Sequence, residues 1–134
     1  MTKISLEDRK AHAMRLRQEG YNCAQSVIMA FGDVTGLDID TAARISSGLG
    51  AGLGCGELCG VANAMAMAQG MLHGPEAASK APSMKASKEL LDTFASSNGN
   101  RLRCSDLKGK PDVRPCNELV AQGVEILHNY FEEQ

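Results

Sequence analysis

The chain is 134 residues long, 43% apolar but only 4% aromatic, without tryptophan, and carries a formal net charge of −2. That length fits one domain, 1–134, with a core of its own. Its charges are mixed and form no basic run, and no stretch approaches the ~20 continuous apolar residues of a membrane span, so nucleic-acid binding and membrane spanning are set aside.

The apolar supply is mostly Ala, Leu, Met, Val and Ile, which suits closely packed helices better than aromatic-rich sheets. The charged N-terminal stretch lacks the apolar core of a secretory signal, so the expected location is cytoplasmic. Disulfides rarely persist there, and five cysteines in a short chain therefore suggest metal or redox use. The odd count argues against a fully paired disulfide framework.

In chain order, Ser5 with Asp8 three positions on predicts a capped helix start, and Gly20 its stop. Asn22 caps a second helix that places Cys23, Val27, Ala30 and Phe31 on one face. Residues 32–36 read as a turn. Asp38 or Asp40 opens a short third helix carrying Ala42, Ala43, Ile45 and Leu49. From Gly48 to Gly60, six of thirteen residues are glycine, five of them alternating. Leu49, Leu53 and Leu58 would be exposed without purpose in a merely flexible loop, so the expectation is a loop or irregular helix packed inside the domain.

A helix is predicted from about Glu57 to His73, with Leu58, Val61, Met65, Ala68 and Leu72 along one stripe and small groups at Cys59, Ala62, Ala66 and Gly70 along another. Apolar nearly all round, it should be central and buried. Residues 75–83 read as a polar connection or a helix broken at Pro82, a helix follows over 84–95, and 100–114 is irregular, with room for one turn after Ser105. Pro115 starts a C-terminal helix lined by Cys116, Val120, Gly123, Val124, Leu127 and Phe131. The fold class is all-α: a compact bundle of about five helices with a Gly-rich loop leading into a buried central helix.

The cysteines are the most informative chemistry. Cys55 and Cys59 form C-x3-C where the Gly-rich loop meets the predicted helix, a spacing that puts both sulfurs on one helical face. Unpaired amides at a helix start favour thiolate over thiol. Cys23, Cys59 and Cys116 all fall at predicted helix starts, and Cys104 lies just before the possible short turn. Lys108, Lys110 and Arg114 in the loop between Cys104 and Cys116 are cations that would stabilise nearby thiolates. The bland alternative is that each cysteine is a small buried hydrophobe. The spacings match neither a zinc ribbon nor the common ferredoxin patterns, and C-x-x-C is absent. His12, His73 and His128 read as satisfied boundary residues, and Met65, Met67 and Met71 as core filling.

Asn22-Cys23-Ala24-Gln25, the Gly-rich stretch, Cys59-Gly60, Cys104 and Cys116, taken together, resemble the C_GCAxxG_C_C family of probable redox-active proteins. The resemblance implies a set of four cysteines, Cys23, Cys59, Cys104 and Cys116. Val61 and Ala64 depart from the Cys-Gly-Ala-x-x-Gly-like element, and Gly54-Cys55-Gly56 is a rival match to it. The resemblance further implies one shared site: an iron–sulfur cluster, with zinc as the alternative, for electron transfer or redox sensing with an unidentified redox partner. Gly54, Gly56 and Gly60 would then supply backbone N–H donors. Two alternatives stand beside it: a metal-free thiol–disulfide oxidoreductase with Cys59 and Cys55 as its reactive pair, and a non-catalytic helical interaction protein with inert cysteines. The long apolar faces leave room for a homodimer.

Overall fold

A computed structural model describes residues 3–134. The helices are α1 (Leu6–Gln18), α2 (Cys23–Met29), α3 (Gly32–Thr35), α4 (Ile39–Ser46), α5 (Gly60–His73), α6 (Lys80–Ser96), α7 (Cys104–Leu107) and α8 (Cys116–Glu132). A π turn, Gly52–Gly56, precedes α5, and a 3-10 turn, Ala77–Ser79, precedes α6. Among the described residues there is no β-strand, only an isolated antiparallel bridge between Leu58 and Arg103. No helix among them is long and apolar enough to cross a membrane.

The fold is all-α as expected, with more helical segments than five. Two of the additional segments are short: residues 32–35 and 104–107, read as turn and near-turn, each close one helical turn. Pro82 does not interrupt a helix. It lies in the first turn of α6, where its missing N–H has no intrahelical partner to lose.

Helix starts follow local chemistry. The Ser5 hydroxyl accepts from the Asp8 amide, and the Asp38 carboxylate from the Thr41 amide. Asn22 and Gln25 form a reciprocal capping box, worth about 1 kcal/mol. Gln25 also donates to the Ala43 carbonyl, and Asn22 to that of Ser47, so the box fastens α2 to α4.

The core lies between α2, α5, α6 and α8, with α1 closing one side. Phe31, Phe94, Met65, Val120, Val124 and Leu127 are fully buried there. Gly123 of α8 permits the α5 crossing, since a Cβ there would stand 2.2 Å from the Val61 side chain. The central helix is buried over Gly60 to Gln69, but its last turn emerges, leaving Met71 and Leu72 about half exposed. Ile45 of α4 is also exposed, because the core side of that short helix is taken by Ala42 and Ser46.

Arg9 is a fully buried cation, which residue order alone did not reveal. It stands on the buried stripe of α1 with Ala13 and Leu16. Its guanidinium bonds both Asp33 oxygens at 2.7 and 2.8 Å, the Ala30 carbonyl at 2.6 Å and His128 Nδ1 at 3.1 Å, and lies 4.3 Å from the Phe31 ring centre. Arg9 thereby pins α1, the α2–α3 junction and α8 together. The hydrogen bond from Arg9 holds the Asp33 carboxyl below its ordinary value of 3.8, against the opposing effect of burial.

Asp33→Ala leaves the Arg9 charge buried without its counter-ion and is expected to cost about 3 kcal/mol in urea unfolding. Asp33 has a depressed folded pKa. Its contribution is therefore complete above pH 3.8 and is lost as pH falls through the lower folded value. Asp33→Asn is expected to flatten the acid limb of a stability–pH curve.

Candidate functional site

Cys23, Cys104 and Cys116 are the first residues of α2, α7 and α8, and Cys59 immediately precedes α5 as its cap. All four line one cleft, walled otherwise by Val61, Leu107, Lys108 and Leu119. Its volume is about 20 Å³, room for roughly one water. A larger open groove of about 440 Å³ runs between α6 and α8, lined by residues such as Glu89, Glu125 and Tyr130, but no thiol reaches it.

Backbone pairing sets two of these cysteines side by side. The Cys59 amide donates to the Leu102 carbonyl, and the Cys104 amide to the Glu57 carbonyl, each at 2.7 Å, around the Leu58–Arg103 bridge. Outside it, Arg103 pairs with Glu57 at 3.2 Å. Arg17 donates to the Asn117 side chain and the Tyr21 carbonyl, linking the neighbourhoods of Cys116 and Cys23.

Glycine makes the approach possible at two points. A Cβ on Gly60 would stand 2.5 Å from the Cys23 sulfur and 3.0 Å from the Leu49 carbonyl oxygen. A Cβ on Gly52, whose φ is +61°, would stand 2.4 Å from the Glu57 carbonyl oxygen and 2.8 Å from Cys104 Cβ. Of the glycines singled out in sequence, Gly60 meets the cleft, Gly56 meets Ser105, and Gly54 faces open space. Gly52 was missed; its place in the alternating run was the available signal.

The Gly-rich segment differs from expectation. It forms an irregular helical turn, but on the surface: Gly52 is buried, while Leu53 and Cys55 are exposed. Positive φ at Ala51, Leu53 and Gly54 prevents a regular α-helix, so α5 begins at Gly60 rather than near Glu57. Cys55 and Cys59 therefore do not share a helical face. Cys55 lies outside the cleft, its sulfur 3.5 Å from the Gly52 carbonyl oxygen.

The electrostatics of Cys59 also run against the helix-start argument. Burial pushes its thiol up to about 11, and the neighbouring Cys23 and Cys104 sulfurs add to the rise. The Val61 and Ala62 amides oppose this without overcoming it. Cys104 is raised too, mainly by burial and then by Cys23 and Cys116, with Lys108 pulling the other way. Both shifts thus draw on neighbouring sulfurs of the cleft, as their shared position in it requires.

In the metal-free protein at neutral pH, limited alkylation read by peptide mass spectrometry is expected to label exposed Cys55 first and Cys59 last. Cys59 has a raised folded pKa, so its protonated form favours folding at neutral pH; that contribution is expected to fade between about pH 9 and 11. Gly60→Ala, driven against the Cys23 sulfur, is expected to cost about 1–3 kcal/mol in urea unfolding, whereas Gly48→Ala, with nothing near it, is expected to be neutral.

No curated protein and no solved structure matches the chain. A family described as "Putative redox-active protein (C_GCAxxG_C_C)" matches residues 21–130, which takes in all five cysteines. A match over most of the chain, with four cysteines gathered from separate helix starts into one cleft, places this protein in the C_GCAxxG_C_C family.

Proposed function

We propose that Cys23, Cys59, Cys104 and Cys116 form one redox centre, in which the four thiolates hold an iron–sulfur cluster or another thiolate-bound metal. The observation that carries this reading is the convergence of four cysteines, far apart in sequence, on a single cleft. Four sulfur donors suit soft or borderline metals rather than magnesium or calcium. Zinc on the same set would give structure without redox change. When bound, an iron–sulfur cluster supplies electron transfer at a potential set by burial and by hydrogen bonds to sulfur.

The donors fit in kind and constrain in space. Among the described residues, no group of three or more His, Cys, Asp or Glu side chains is arranged to hold a metal ion. The sulfurs would have to rearrange to hold a single ion, and a cluster would need more room than the cleft's 20 Å³. The Cys59 proton is hard to remove, because burial penalises its thiolate. A cation in the cleft offsets that penalty and makes binding proton-coupled. The Val61 and Ala62 amides already favour the Cys59 thiolate.

The same observation on metal grouping favours a second reading, a metal-free thiol–disulfide couple within the cleft. Two thiols there would join as a disulfide, releasing two protons and two electrons to an acceptor. Pairing Cys59 with Cys55 instead would require the π turn to bring Cys55 inward from the surface.

The test is anaerobic purification of the wild type, Cys59→Ser and Cys55→Ser, with visible absorption and iron, zinc and sulfide analysis on each. Stoichiometric iron and sulfide are expected in the wild type and Cys55→Ser, with loss in Cys59→Ser. Full cluster content in Cys59→Ser would overturn the ligand set. A colourless, metal-free wild type with titratable thiols would leave the thiol couple.

A further inference from the structure

The cleft is too small to admit a substrate. Its 20 Å³ accommodates about one water, and Val61, Leu107 and Leu119 wall it. If the centre is redox-active, as proposed above, its electrons must cross the protein surface. Cys23, Cys104 and Cys116 are each partly exposed, so that surface is close to the sulfurs.

The charges there are unlike those of the remaining chain. Between α6 and α8, residues 97–115 carry Arg101, Arg103, Lys108, Lys110 and Arg114 against Asp106 and Asp112. This segment is net +3 in a chain of net −2, which leaves −5 for all other residues. It contains Cys104 and leads directly into Cys116, and Lys108 stands in the cleft wall. Arg17 adds a cation between Tyr21 and Asn117. Two nearby acids are already engaged, Glu57 with Arg103 and Asp112 with Arg101; Asp106 lies in the same segment and Glu118 two residues after Cys116. Lys108, Lys110 and Arg17 make no ion pair with an acid among the described residues.

We propose that this basic rim, Arg17, Arg103, Lys108 and Lys110 around the four-cysteine cleft, is the docking surface for an electron-carrier protein with an acidic face. A positive end on an otherwise acidic molecule orients such a carrier during encounter and repels basic ones. Orientation matters because only this face brings the carrier near the sulfurs. The inference rests on the redox reading, and its test separates the two.

Reduced protein, prepared anaerobically, is mixed in stopped flow with ferricyanide or with hexaammineruthenium(III), each of which takes one electron. A cluster gives its electron to one oxidant ion. A thiol pair needs two oxidant ions and releases two protons as the disulfide forms. The anionic oxidant is expected to react faster at low salt and to slow several-fold between about 20 and 300 mM salt, while the cationic one speeds up. Poly-glutamate, standing in for an acidic face, is expected to protect against ferricyanide. The variant Lys110→Glu is expected to narrow or reverse the order with unchanged thiol count and thermal midpoint, whereas Lys88→Glu on α6 leaves it alone. Equal, salt-insensitive rates, or no protection by poly-glutamate, would overturn the docking surface and leave the redox reading standing. A protein that yields electrons to neither oxidant would overturn the redox reading, and the docking surface with it.

Discussion

The cleft depends on a backbone clamp of two hydrogen bonds. The Cys59 and Cys104 amides each donate across the Leu58–Arg103 bridge, to Leu102 and Glu57. Without this pairing, the segment after α6 would be free to carry Cys104 away from the start of α5. Such bonds contribute about 1 kcal/mol each, so the clamp needs support from its surroundings. The π turn supplies it, with Gly52 lying against Glu57 and Cys104 where no Cβ fits. Gly60 plays the same part toward Cys23. The glycines are there for close approach, more than for flexibility.

The clamp joins two kinds of structure. Behind the cleft stand long packed helices, α5 against α6 and α2, with α8 brought close by Gly123. At the far side, Arg9 ties α1, α2–α3 and α8 through Asp33, Ala30 and His128. In front lie the π turn and the 97–115 segment, mostly irregular and exposed. Rigid helices thus fix the positions of Cys23, Cys59 and Cys116, while Cys104 is held by the clamp. Any widening or narrowing of the cleft would be expected at the front, where fewer packed side chains resist it.

Two opposing effects meet at Cys59. Its position before α5 exposes the sulfur to amides that favour a negative charge, and its burial penalises that charge. Burial wins, and the adjoining sulfurs reinforce it. A lone reactive thiolate has the reverse balance: exposed, electropositive and low in pKa. The raised, desolvated Cys59 thiol instead gives up its proton more readily when a cation compensates. This electrostatic argument favours a shared centre over a single nucleophile.

Residue order alone settled the helical class, the capped starts at Ser5 and Asn22, a third start at Asp38 or Asp40, and the placing of Cys23, Cys59 and Cys116 at or beside helix starts. Those features are local: a cap needs only its next turn, and apolar periodicity survives in any packing. It also identified Cys23, Cys59, Cys104 and Cys116 as a set, through resemblance to a family and not through spacing. Tertiary structure decided the rest. The Leu58–Arg103 bridge, the Arg9 brace and the fit of Gly60 against Cys23 join residues remote in sequence, which no local pattern encodes. The surface position of Cys55 and the late start of α5 follow from positive φ at Ala51 and Leu53, conformations that non-glycine residues adopt only when surrounding contacts enforce them. The protonated state of Cys59 was undecidable for the same reason: a helix start is written in the sequence, but the depth at which it is buried is set by what packs over it.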